Sequence, residues 1–96
     1  MENPSNIYFT CPEHSSRPQE KFALMNPKKF LNKWIKKSFN EIDTNKMEHL
    51  WIKIKSIKPN SNALIGVVDN DPFLNLNVKC GDAVEVQLTE IEDIFK

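Results

Sequence analysis

Apolar residues recur along the chain with two different periods, and the switch between them marks the predicted elements. After Pro27 the apolar positions are Phe30, Leu31, Trp34, Ile35 and Phe39. Spacings of one, three or four put these on one face of an α-helix over residues 27–40. Asn26 is a good N-cap, Pro27 suits the first helical position, and Asn40 is a plausible end. Lys28, Lys29, Lys33, Lys36 and Lys37 cover the rest of that surface. From Glu48 the period becomes two. Leu50, Ile52 and Ile54 alternate with His49, Trp51, Lys53 and Lys55, the pattern of a strand with one buried face. Lys58-Pro59-Asn60-Ser61-Asn62 is a turn, and residues 63–68 are apolar on both faces around Gly66, which predicts a central strand paired to the first as a hairpin.

Asp69-Asn70-Asp71-Pro72 turns the chain again, and Phe73, Leu74, Leu76 and Val78 are expected to cover an edge or end of the sheet. Cys80-Gly81-Asp82 turns into a third strand, where Val84, Val86 and Leu88 alternate with Glu85 and Gln87. Thr89 suits the cap of a short terminal helix. Glu90, Glu92 and Asp93 would then face the positive end of its dipole, and Ile91, Ile94 and Phe95 would pack inward. Residues 1–21 hold Pro4, Pro12, Ser15, Ser16 and Pro18 in quick succession, with Ile7-Tyr8-Phe9 the one candidate strand, so an irregular lead-in is expected. Phe22 to Met25 reads as a short strand or as a hydrophobic staple before the helix. The expected fold class is α+β: a small antiparallel sheet of three or four strands packed against one N-terminal helix, with a short C-terminal helix, forming a single domain over 22–96.

Composition narrows the function classes. Ninety-six residues suffice for one domain, and 40% hydrophobic with 27% charged residues is ordinary for a globular chain and unlike a disordered one. The formal net charge of +0 weighs against a non-specific nucleic-acid binder. That balance hides a split. Residues 21–58 hold ten lysines against three acids, a net +7, whereas residues 59–96 hold two lysines against seven acids, a net −5. Such an asymmetry either steers a charged partner or cancels across the folded domain. Cys11 and Cys80 cannot form a zinc site alone and are read as reduced cytoplasmic thiols, with a single Cys11–Cys80 bridge as the other possibility. No secretory signal and no apolar run of membrane-spanning length occurs in the sequence, so no membrane partner is expected.

Few residues point to chemistry. His49 beside Glu48 suggests a general base or a metal ligand, but neighbouring residues on a strand point to opposite faces, and a structural bond from His49 to backbone is the simpler expectation. Trp51, Lys53 and Lys55 share the His49 face and form the aromatic-plus-lysine pattern that stacks bases and holds phosphates. The stripe Phe30, Trp34 and Phe39 is expected to be core, with the lysines of 27–40 solvated. Asp69, Asp71 and Asp82 are loop acids. Their loop stops at Pro72, short of a calcium loop, and Gly81 alone cradles no phosphate. Cys80 is expected to be buried. No catalytic motif, metal set or cofactor motif is read, and the chain is not expected to be an enzyme.

Met47-Glu48-His49-Leu50-Trp51-Ile52-Lys53-Ile54, Gly66, Asp69-Asn70-Asp71-Pro72, Gly81-Asp82-Ala83-Val84 and Ile91-Glu92-Asp93-Ile94 follow one another in an order that resembles a bacterial domain family of unknown function, the YegJ-like family, over about residues 24–96. The resemblance implies a small α+β module with no established activity and no cofactor, some relatives being immunity proteins that neutralise toxins. The expected function is therefore a small protein-binding module, an immunity-type inhibitor of a bacterial toxin or effector acting by occlusion. Either the acidic set Asp69, Asp71, Glu90, Glu92 and Asp93 or the basic set Lys33, Lys36, Lys37, Lys53 and Lys55 would meet the partner. The speculative binding residues are His49, Trp51, Lys53, Lys55, Asp69 and Asp71. The alternative is a nucleic-acid-binding small β module using Trp51 with Lys53 and Lys55.

Overall fold

The lysine-rich stretch expected as a helix is largely a strand. In the computed structural model, which describes residues 17–74 and 76–95, Pro27–Phe30 forms one 3-10 turn, and the Asn26 side chain accepts from the Lys28 amide at 3.0 Å. The cap and proline signals thus start a turn, but the turn ends at Phe30. Leu31 is extended and Asn32 takes a left-handed φ of 62°, a conformation asparagine tolerates. The chain then enters β1, Trp34–Asn40. Ile35, Lys37 and Phe39 fall on one face of β1 and Trp34, Lys36 and Ser38 on the other. Spacings of one, three and four fit a helix, yet bulky Trp34, Ile35 and Phe39 also suit a pleated surface. Pairing on both sides decides for the strand.

Four more strands follow: β2, Met47–Ile57; β3, Leu64–Val68; β4, Ala83–Val86; and β5, Asp93–Phe95. They form a five-stranded sheet in the order β4-β3-β2-β1-β5, with every neighbouring pair antiparallel. The expectation of an α+β sheet against one long helix is therefore overturned. Among the described residues the α-helix is a single turn, Glu20–Ala23, which places Phe22 in the core. The terminal helix expected from Thr89 is also absent. Leu88–Glu90 is a 3-10 turn in which the Glu90 carboxylate accepts from the Gln87 amide at 2.8 Å. β5 then pairs Ile94 with Ile35 and Phe95 with Trp34. The strands expected from Glu48, over residues 63–68 and from Val84 are present as β2, β3 and β4, and β2 pairs with β3 as a hairpin, but β4 ends at Val86 and Leu88 enters the 3-10 turn. The Ile7–Phe9 stretch and Cys11 lie outside the described residues.

One apolar core covers one sheet face, built from Phe22, Phe30, Ile35, Ile52, Ile54, Leu64, Val86, Leu88 and Ile91. A bulge between Ile54 and Ser56 makes Lys55 an extra residue of β2, so it leaves the alternation that would align it with Trp51 and Lys53. No helix among the described residues is long and apolar enough to cross a membrane. Gly66 sits where the sheet leaves no room for a side chain: a Cβ there would lie 2.6 Å from Ile52 Cγ2 and 2.7 Å from the Lys53 carbonyl oxygen. Because one of these obstacles is backbone, Gly66→Ala is expected to destabilise the protein by about 1–3 kcal/mol, measured as a lowered urea midpoint with unchanged slope.

Candidate functional site

Strand β2 divides its side chains between two buried environments. Glu48 shares a face with Leu50, Ile52 and Ile54, and its fully buried carboxylate accepts the amide of Phe73 at 3.0 and 3.1 Å and that of Leu74 at 2.9 Å. His49 points to the opposite face, so the two residues do not converge. The expected bond from His49 to backbone is replaced by a carboxylate. Nδ1 lies 2.6 Å from Glu92 Oε1, and Ser38 Oγ donates to Glu92 Oε2 while sitting 3.2 Å from Nδ1. Ser38 reaches this position because it is directly opposite His49 in the β1–β2 register.

This trio differs from a nucleophilic triad. A triad places the hydroxyl at one ring nitrogen and the carboxylate at the other. Here both groups meet Nδ1, and Nε2 is buried with no hydrogen-bond partner among the described residues. A neutral ring donating from Nδ1 to Glu92 would keep Nε2 as an acceptor. Among the described residues no group of three or more His, Cys, Asp or Glu side chains is placed to hold a metal ion.

The remaining second-face residues form an aromatic and cationic cluster. The Trp51 ring is 5% exposed, with the Phe95 ring centroid 5.8 Å away and Lys36 Nζ 5.2 Å from its own centroid. Trp34 meets the same Phe95 edge-on at 6.0 Å, carries Lys53 Nζ 3.8 Å from its centroid, and donates from Nε1 to Asp69 Oδ2 at 2.6 Å. Trp51, Lys53 and Asp69 are thus brought together, whereas Lys55 is exposed on the bulge and Asp71 is exposed in a loop. Two members of the charged sets are interior: Glu92 beneath His49, and Lys36, which is buried over Trp51. Lys37 and Glu90 pair with each other at 3.2 Å. Sequence reasoning passed over Ser38, Trp34 and Phe95 as site residues, because each acquires its place only through strand pairing.

The connection from β3 to β4, residues 69–82, contains no helix or strand among its described residues. It is nonetheless well tied. The Asp69 amide donates to the Trp51 carbonyl at 2.9 Å, and the buried Asn70 side chain accepts the Trp51 amide at 2.6 Å. At the far end the Gly81 amide donates to the Val68 carbonyl at 2.7 Å, and Asp82 accepts from the Lys79 amide at 2.9 Å. Between these ends Phe73 is 74% exposed. Cys80, expected to be buried, is an exposed free thiol. Desolvation first, then the carboxylates of Asp71 and Asp69, push its pKa up, which keeps it protonated and weakly nucleophilic at neutral pH. A bridge from it to Cys11 falls outside the described residues.

Residues 23–95 match a family described as an uncharacterized protein conserved in bacteria (DUF2314). No curated protein and no solved structure matches the chain. The buried cluster can be tested on its own terms. Glu92→Leu removes the acceptor from both Ser38 Oγ and His49 Nδ1 and is expected to cost about 2–4 kcal/mol, whereas Ser38→Ala removes one donor and should cost about 1 kcal/mol. Urea unfolding of the two variants measures the difference.

Proposed function

The chain belongs to this family of uncharacterized bacterial proteins, and on that premise we propose that it is a protein-binding module that presents its 69–82 loop to a protein partner. The observation that carries the reading is Phe73: an aromatic residue 74% exposed on a loop whose backbone is held by a buried carboxylate. Burying a carboxylate is costly unless it is hydrogen-bonded, and here the bonds it accepts fix the loop. An aromatic side chain that is mostly exposed buries little apolar area in the fold, whereas a pre-positioned aromatic is the residue type that anchors protein interfaces. Asp71, exposed two residues earlier, adds negative charge beside it. A matching partner would offer an apolar pocket with a basic rim.

The finer reading follows the likeness to the YegJ-like family and its immunity relatives: a cytoplasmic inhibitor that occludes a basic cleft on a bacterial toxin or effector. The acidic loop supports it over a basic docking face, since Lys36 is buried over Trp51 and Lys37 is half-buried and paired with Glu90. Stacking of bases on Trp51 finds less support, because that ring is covered by Phe95 and Lys36.

Capture from a nuclease-treated lysate of the bacterial host, with the tagged protein and its Phe73→Ala variant, tests the proposal. The wild type is expected to retain one stoichiometric protein through moderate salt, and Phe73→Ala to lose about tenfold or more of it at unchanged Tm. Retention that Phe73→Ala leaves intact would count against the loop as the contact. Nucleic acid alone, released steeply as salt rises, would favour the Trp51, Lys53 and Lys55 alternative.

A further inference from the structure

Strand β2 is 11 residues long and β3 is 5, so β3 pairs with β2 only from Ile52 to Ile57. Beside the first half of β2 runs the 69–74 segment instead. At Trp51 that segment is bound through the Asp69 amide and the Asn70 side chain. Three residues further on, its Phe73 and Leu74 amides both aim at the carboxylate of Glu48. Pro72 brings no amide of its own and fixes φ just before this pair. Glu48 occupies a position whose neighbours on the same face, Leu50, Ile52 and Ile54, are fully buried and apolar. A leucine at this position would serve packing alone; what a carboxylate adds is a charge-assisted acceptor for consecutive amides.

We infer that Glu48 is a positioning residue, a buried clasp that holds the 71–74 segment docked against β2, and that loss of its carboxylate frees this segment locally while the sheet stays folded. The inference rests on the reading of the loop as the contact surface for its functional meaning, but not for its test. The physical reason for local release is the exposure of the loop. Once Glu48 is removed, the amides of Phe73 and Leu74 can turn to water, whereas the amides of β1 and β2 remain in their ladder. Glu48 is fully buried, so its effect on binding is exerted through Phe73.

Residue-resolved amide hydrogen exchange on the full chain reads this directly in the wild type, Glu48→Gln and Glu48→Ala. In the wild type the Phe73 and Leu74 amides are expected to be protected despite the exposure of the loop. Glu48→Ala should accelerate their exchange by about tenfold or more, the equivalent of a lost charge-assisted hydrogen bond, with the Ile35 and Ile52 amides unchanged. Glu48→Gln keeps one carbonyl acceptor and should fall between, which also serves if the alanine variant does not fold. Unprotected Phe73 and Leu74 amides in the wild type, or protection unchanged in both variants, would overturn the clasp. So would equal acceleration across β1, β2 and the loop. Because no partner is present in this experiment, its failure leaves the capture test standing, and failure of the capture test leaves the clasp.

Discussion

Satisfying the backbone of β2 is the constraint around which the other elements are arranged. The strand is longer than any neighbour, and every buried amide and carbonyl along it requires a partner. β1 pairs with it from Met47 to Lys53, and just beyond, the Ile54 amide donates to the Lys33 carbonyl and the Asn32 amide to the Ile54 carbonyl, at 2.8 and 3.0 Å. On its other side β3 covers the second half, and Asp69 with Asn70 takes over at Trp51. The left-handed turn at Asn32 and the buried side chain of Asn70 thus serve one purpose: irregular backbone completes what regular pairing leaves unfinished.

The same strand explains why charge sits inside the protein. Its two faces carry Glu48 and His49, and each finds its partners in distant segments, the 73–74 amides on one side and Glu92 on the other. The charge asymmetry of the chain is partly resolved in the fold, since Lys37 with Glu90 and Lys58 with Glu85 each join the basic half to the acidic half. These exposed or half-exposed pairs contribute little stability individually. They do lower the net field available for steering.

The legible parts of the fold were those with an unambiguous period. Leu50, Ile52 and Ile54 could face a core only as a strand, and the same holds for the alternation from Val84. The stretch 34–40 was illegible because its apolar spacing is compatible with either period, and helical spacing with a good cap at Asn26 outweighed the bulky residues that suit a strand. Of the candidate site, the divergence of Glu48 and His49 was readable from strand geometry alone. The Glu92 contact was not, because it joins positions 43 residues apart.

By itself the sequence determined the alternation of β2 and of the start of β4, the apolar run of β3, the Asn26 cap and the charge split, since each depends on residues near one another in the chain. Tertiary structure decided that Trp34–Asn40 and Asp93–Phe95 are strands, because each needs a neighbour's hydrogen bonds to be one. It also decided which charges are interior. A glutamate reads as a surface residue until pairing brings amides, or a histidine and a serine, to its carboxylate, and that meeting is settled by the three-dimensional path of the chain.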